Sequence, residues 1–503
     1  MGEGAVNRPR WEWRTFGARF GAAEQLVATL TPTGTHDSPE LYLISPEGET
    51  VTLHDGHLDI TALREVDARG LHRWEPVLHA EFPLTPQAVA TVVESLRTPM
   101  PELTHDSYSL DELVRILVVP GGAVRAVKVH KRQVRFTIEG CTGELSDVVA
   151  DGVATRTLAV ASEDKGAVLS AVHALGVAER VSISYPDALD RLLDGDPARY
   201  ASIDVGTNSV KFHIGERTSE GGWRPIVDRS DVTQLGEGLA GSGVIGAAAL
   251  ERTTRALTGM VEEARSRRVR AIAAVGTAGM RIAANSAEVI ASIEAATGVT
   301  IAVITGEEES RIAYLAVLAG LPAPDGTLCV FDTGGGSSQF TFGVGATVDE
   351  RWSVDVGAVR FTERFGLAEA VSAETLHTAL DAIAADLARL AGRPAPKALV
   401  GMGGAVTNLT AVMLALESYD ADRIQGAVLT RGEVARQIEV YRSTDAHGRR
   451  SVAGLQPQRA EVILAGACVV ATVMDLLGQE SLTVSDRGLR HGLLVEKFGA
   501  LDD

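Results

Sequence analysis

The chain has 503 residues, 45% of them apolar, and a formal net charge of −19. That length suits about three domains of roughly 150 residues, and the apolar share excludes extensive disorder. The acidic balance excludes general nucleic-acid binding, which needs a basic surface, but not a polyanion held in a local basic channel.

No run approaches the ~20 apolar residues of a membrane span; the richest, 462–477, already contains Asp475. The first ten residues, M-G-E-G-A-V-N-R-P-R, carry no hydrophobic signal region, and Val6 breaks the myristoylation pattern. Cys141, Cys329 and Cys468 are too scattered for a metal pair or a disulfide framework. The expectation is a cytoplasmic protein without a membrane partner.

In chain order, 41–44, 50–54, 57–66, 74–83, 124–130, 133–139 and 153–162 read as strands of an antiparallel sheet. Helices are predicted over 85–97 and 164–176. Together they make an α+β domain over 1–195, closed by a short helix-like piece and a Gly/Pro linker near 186–200. From Tyr200 onward strands and helices alternate. Strands are predicted at 200–205, 270–275, 299–304, 327–332, 351–356 and 397–401; helices at 278–295, 307–319, 371–391, 406–416, 431–441 and 457–477. Such alternation means α/β layers.

One pattern occurs twice. A-S-I-D-V-G-T-N-S (201–209) and C-V-F-D-T-G-G-G-S-S (329–338) each run an apolar strand into an aspartate, then glycine and small hydroxyl residues. Glycine lets the backbone approach a phosphate closely, and successive N–H groups form an anion nest. Thr207, Asn208, Ser209, Ser337 and Ser338 add side-chain donors. An aspartate at the strand end suits Mg²⁺, usually through water. Unrelated β-turns use the same residues. The recurrence predicts a duplicated domain with two hairpins, around Gly206 and around Gly334, Gly335 and Gly336, facing each other across phosphate and a cation.

Four more segments extend the pattern. A-V-G-T-A-G-M-R (274–281) ends a strand and opens a helix with Arg281. That residue is either a phosphate grip or an exposed helix arginine. I-T-G-E-E-E-S-R-I (304–312) opens a helix with Glu307, Glu308 and Glu309. Acids there complement the helix dipole, and a carboxylate near phosphate and metal is what a water-activating base requires; the spacing does not say which of the three faces a site. V-G-M-G-G-A-V-T-N-L (400–409) sets Gly403 and Gly404 at a helix start, either an anion site or a plain turn. V-S-D-R-G-L-R-H-G (484–492), with Asp486, Arg487, Arg490 and His491, closes a channel wall or begins a solvated helix. The G-x-x-x-x-G-K-[ST] phosphate loop does not occur, which excludes a P-loop ATPase.

Taken in order over about 200–498, these motifs make the chain resemble the exopolyphosphatase/guanosine pentaphosphate phosphatase family, within the actin-like, sugar kinase and Hsp70 superfamily. The resemblance implies an α/β protein with a duplicated actin-like (ASKHA) fold: lobe I over 196–325 and lobe II over 326–503 around a cleft, behind the N-terminal domain. It implies Glu309 as base, Asp332 with Asp204 as holders of Mg²⁺ or Mn²⁺, and Arg281 on phosphate. Gly206, Thr207, Asn208 and Ser209 would face Gly334, Gly335, Gly336 and Ser337, with Gly403 and Gly404 beside them. The implied substrate is inorganic polyphosphate or guanosine pentaphosphate, and the implied assembly a homodimer.

Two departures stand out. Gln339 occupies the glutamate place of the family pattern G-G-G-S-x-E and cannot act as base or charged ligand. The chain also ends soon after lobe II, where longer relatives carry a further helical domain. A kinase of the superfamily would need an adenosine pocket, and no distinctive one is readable; a non-catalytic polyphosphate or alarmone sensor is the binding-module alternative. Segment 131–162 has the strand–turn–strand rhythm of the CYTH triphosphate-tunnel fold, with Glu12 and Arg14 as a degraded trace of its E-x-E-x-K opening. Arg125, Lys128, Lys131, Arg132 and Arg135 are either polyphosphate ligands or a solvated sheet face.

Overall fold

A computed structural model of the chain describes residues 8–499 apart from 47, 219, 220, 323 and 346. The N-terminal decapeptide falls mostly on residues 1–7, outside the described residues. Among the described residues no helix is long and apolar enough to cross a membrane.

Eight antiparallel strands open the chain: β1 (Arg10–Gly17), β2 (Gly34–Ile44), β3 (Thr50–His54), β4 (His57–Val66), β5 (His72–Glu81), β6 (Arg125–Ile138), β7 (Cys141–Ala150) and β8 (Val153–Ser162). They close into a barrel in the order β1-β5-β4-β3-β2-β6-β7-β8. The strands expected at 124–130 and 133–139 are one strand, and β1 and β7 are additional. The reason is the alternation of side chains. Outward residues such as Trp13, Phe136 and Val160 pack under the helix Lys165–Ala174, and Leu43, Val51 and Ile60 under Pro86–Ser95 and Leu110–Leu117. Inward residues are mixed: Tyr42, Val127, Val129 and Val148 are apolar at one end, while Glu12, Arg14, Glu40, Lys131 and Glu144 are charged.

The lumen is neutralised from within. Arg14 donates to Glu12 at 3.1 Å and Glu144 at 3.3 Å, and Lys131 pairs with Glu40 at 2.6 Å. The Arg14 guanidinium helps hold the Glu144 carboxyl down at about 2 against its burial. The helix Tyr185–Leu193 plugs this end: Tyr185 stacks on Tyr42, and the Lys131 ammonium sits 4.2 Å from its ring centre. The five basic residues therefore form neither a common patch nor a common sheet face. Lys131 and Arg135 turn inward, Arg132 lies outside near Asp37, and Arg125 pairs with Asp190 and Asp194 of the plug. The closed barrel is consistent with a CYTH-like domain, and Glu12 and Arg14 are partners in its lumen.

The rest repeats one topology. Lobe I orders its strands β11 (Trp223–Val232), β10 (Ser209–Arg217), β9 (Arg199–Val205), β12 (Ala271–Gly276), β13 (Ile301–Val303). Lobe II has β16 (Thr347–Val354), β15 (Ser338–Val344), β14 (Leu328–Thr333), β17 (Ala398–Met402), β19 (Ser481–Val484), β18 (Val428–Thr430). In each, the first strand forms an antiparallel hairpin on one side and a parallel pair on the other, as a duplicated actin-like fold requires.

The division at 325/326 is crossed in space. The helix Gly306–Leu318 packs Ala313, Tyr314 and Val317 on Leu328, Val330 and Val400 of lobe II. The last helix, Leu489–Phe498, returns to lobe I, where Leu493 and Phe498 meet Tyr200, Ala273 and Ile312. Two helices, packed against each other through Ile312 and Leu493, thus tie the lobes together.

One lobe II residue carries unusual weight. Arg449 is fully buried and donates to the carbonyls of Tyr441, Leu367, Ala460 and Glu369. Leucine there removes a donor from each; the Tyr441 carbonyl keeps the Thr444 N–H, but those of Leu367 and Glu369 have no other donor among the described residues, at about 1–3 kcal/mol for each that stays dry. Arg449→Leu is expected to lower stability by roughly 3 kcal/mol or more, read as a fall in the denaturant midpoint of lobe II.

Candidate functional site

The two repeated motifs form matching turns. The Gly206 N–H donates to the Ser209 carbonyl at 3.1 Å, and the Gly334 N–H to the Ser337 carbonyl at 2.9 Å. Each turn is propped by a neighbour. The carbonyls of Thr207 and Asn208 accept from Gly236 and from Thr233 and Gln234. The carbonyls of Gly334 and Gly335 accept from Ala358, Val359 and Arg360, at the start of the helix Ala358–Phe365. That start absorbs N–H groups a helix otherwise leaves unpaired and frees the N–H side of the glycine loop. Ser338, expected as a donor to phosphate, is instead buried and donates to the Val356 carbonyl at 2.6 Å.

The aspartates sit at equivalent places. Strand register sets Asp204 opposite Lys211, and Asp332 opposite Gln339. Lys211 donates to Asp204 Oδ2 at 2.7 Å, while Asp204 Oδ1 is buried with no hydrogen-bond partner among the described residues. The Lys211 pKa is raised by Asp204 and by Asp332, so its ammonium lies in the field of both. Gln339 is no ligand-like acid: its amide donates to Ser337 Oγ at 2.9 Å and Ser353 Oγ at 3.3 Å, holding the loop serine. Burial pushes the Asp332 carboxyl up, opposed by Lys211 and reinforced by Asp204.

The structure separates the three glutamates. Glu308 closes a capping box with Thr305, accepting its N–H at 2.8 Å and its hydroxyl at 3.0 Å. Glu307 is exposed near Arg351. Only Glu309 turns inward. Burial, then the charge of Asp204, then that of Asp332 push its carboxyl up to about 7, with Arg281 acting in the other direction. Arg281 Nη1 donates to the Ile304 carbonyl at 2.7 Å and lies 3.4 Å from Glu309 Oε2.

Gly403 and Gly404 begin the helix Gly403–Met413 beside the second loop. Gly403 has φ +87°, and a Cβ there would overlap the Asp332 carboxylate. A Cβ at Gly404 would come within 2.7 Å of the Arg459 guanidinium. Arg459, with Thr333, Gly334, Gly335 and Gly404, lines a small pocket at the loop. The structure therefore gathers Asp204, Asp332, Glu309, Arg281 and both glycine loops at one cleft, and adds Lys211 and Arg459. Lys211 had a signal: it follows the first turn at the distance that brings it back across from Asp204. Arg459 had none, because it arrives from another element through tertiary packing.

The profile of the Ppx/GppA phosphatase family matches residues 216–500. The match begins within β10, after the first glycine turn. Exopolyphosphatase 2 of Mycobacterium tuberculosis is 27% identical over 326 residues, covering 60% of this chain and 99% of that protein. The bifunctional 3-dehydroquinate synthase/phosphatase of Fusobacterium nucleatum is 26% identical over 307 residues; the chain spans 46% of its length. The crystal structure of the Aquifex aeolicus Ppx/GppA member superposes with a TM-score of 0.56 at 32% identity, over 60% of this chain and 97% of that one. An exopolyphosphatase-like protein superposes at 0.54 with 25% identity. By the profile match, the ordered motifs and the shared two-lobed architecture, this chain belongs to the Ppx/GppA phosphatase family.

Proposed function

We propose that the chain is a phosphoanhydride hydrolase that releases terminal orthophosphate from inorganic polyphosphate. The observation that carries this reading is the placement of Glu309. It alone of three adjacent glutamates enters the cleft between the glycine hairpins, with its carboxyl raised to about 7. Such a group accepts a proton from water near neutral pH.

In this reading Glu309 orients a water and takes its proton as the oxygen attacks the terminal phosphorus. The bond from that phosphorus to the bridging oxygen breaks, the shortened chain keeps that oxygen, and orthophosphate leaves. Backbone N–H groups of Thr207 and Asn208 and of Gly335 and Gly336 hold the phosphoryl oxygens, with Arg281 and Arg459 as cations beside them. Positioning and electrostatics supply most of the acceleration, as in phosphoryl transfer generally. The residues fit an oxygen-seeking divalent cation: Asp204 presents a buried, unpartnered oxygen, and Asp332 is raised by burial among like charges. Asp204 and Asp332 would hold Mg²⁺, which when bound neutralises phosphate charge.

The test is phosphate release by the full chain from long-chain polyphosphate, tripolyphosphate and guanosine pentaphosphate, with Mg²⁺ or EDTA. The expected result is Mg²⁺-dependent release from polyphosphate that EDTA abolishes. Release from guanosine pentaphosphate alone would reassign the substrate. Tight polyphosphate binding without release would make the chain a sensor and overturn the hydrolase reading.

A further inference from the structure

The last helix brings a further cationic group to the cleft, besides Lys211, Arg281 and Arg459. Arg490 lies at its start, and the Arg490 carbonyl accepts the Ser202 hydroxyl at 2.7 Å, two residues before Asp204 on β9. The guanidinium forks onto Asp228 of β11, with Nε to Oδ1 at 2.5 Å and Nη2 to Oδ2 at 3.1 Å. Nη1 has no hydrogen-bond partner among the described residues. Arg490 acts electrostatically on Asp204, Asp332 and Asp486, so it lies beside the acids of the cleft.

The mount behind it is closed. His491 Nδ1 accepts the Gly488 N–H at 3.1 Å, which leaves the proton on Nε2, facing Asp228 Oδ2 at 3.0 Å. His213, opposite Asp228 across β10 and β11, packs its ring 4.4 Å from that of His491. Burial and the neighbouring Arg490 push His491 down to about 4, so it stays neutral and keeps this tautomer at neutral pH. Asp228 thus takes charge-assisted bonds from Arg490 and a third bond from His491, enough to fix a flexible side chain. His213, Asp228 and His491 also form a group of metal-binding type, but the proton on His491 Nε2 and the arginine fork already occupy Asp228.

We infer that Arg490 is a substrate-binding residue whose free Nη1 takes a non-bridging oxygen of the bound phosphate chain, with Asp228 and His491 as its positioning residues. The inference rests on the cleft being the phosphoanhydride site proposed above.

The experiment measures tripolyphosphate binding by calorimetry in Mg²⁺, and phosphate release, for the full chain and for Arg490→Ala, Arg490→Lys, Asp228→Asn and the double variant Arg490→Ala/Asp228→Asn. One charge-assisted hydrogen bond is worth about 10- to 100-fold, so Arg490→Ala is expected to weaken binding and lower kcat/KM by at least about 10-fold. Asp228→Asn should lower kcat/KM less, and add nothing once Arg490 is gone. Arg490→Lys, which keeps the charge but not the fork, should fall between; if Arg490→Ala does not fold, Arg490→Lys and Asp228→Asn carry the same comparison. Binding and kcat/KM within about threefold of the natural chain in these variants would overturn the inference, as would full additivity in the double variant. Arg490-dependent binding without phosphate release sinks the hydrolase reading and leaves this one standing. Release indifferent to Arg490 does the reverse, and absence of both binding and release removes both.

Discussion

Glu309→Gln is expected to lower phosphate release by at least about 100-fold, the low end of a general base's contribution, and at the same time to stabilise the protein free of divalent ions at pH 8. The two effects have one cause. The carboxyl is half-buried, 3.4 Å from Arg281 and in the field of Asp204 and Asp332, and is pushed up to about 7 from 4.5. A folded-state value above the unfolded one means that the folded chain binds the proton more tightly. That stability is complete below about pH 4.5 and is lost as pH rises through 7. At about 1.4 kcal/mol per unit, ionised Glu309 costs roughly 1–3 kcal/mol at pH 8, and glutamine removes that cost. The melting midpoint of the variant should rise at pH 8 and stay near the natural value at pH 5. Glu308→Gln should do neither, since its carboxylate serves the helix cap. Near-normal release by Glu309→Gln, with release abolished in Glu308→Gln, would move the base to the cap residue.

Gly403→Ala should be the most damaging glycine substitution in the cleft. Its φ of +87° is a conformation that alanine adopts only with strain. The added methyl would also overlap the Asp332 carboxylate and press on the Thr333 backbone at 2.9 Å. Neither neighbour moves freely: Thr333 ends β14 paired with Ser338, and Asp332 is paired in register with Met402 on β17. A displacement of about 1 Å at a reacting group costs on the order of 100-fold, so turnover is expected to fall by that much, together with several degrees of melting temperature. Gly336→Ala is the contrast, because a Cβ there meets nothing within 4 Å and the backbone is not in the left-handed region. Its stability should be unchanged, so any loss of activity would report phosphate approaching that stretch of backbone. Equal tolerance of both substitutions would remove the steric argument.

The contrast between these glycines shows what local pattern conveys. The glycine runs, the strand-end aspartates and the glutamate triplet were legible because each is a short-range feature, written in consecutive residues. So was the repeat of lobes, since the same hairpin grammar recurs. The barrel was harder to read. β1 alternates Trp11 and Trp13 on the helix-covered face with Glu12 and Arg14 in the lumen, and β7 sets Glu144 inward, but in both the lumen side is charged and its partners come from distant strands. The basic residues of β6 looked like one group on paper and are split between inside and outside by the pleat.

What the amino-acid order determined by itself is the set of turns and helix starts that present backbone N–H groups, because those depend on glycine, proline and capping chemistry within a few residues. What only the tertiary structure decided is which charged groups share the cleft. Glu309 differs from Glu308 because a cap claims one and burial against the opposite lobe claims the other. Arg459 and Arg490 reach the aspartates from helices far along the chain. Electrostatic effects fall off with distance in space rather than with separation in sequence, so the pKa values and ion pairs of the site exist only once packing has brought those helices together.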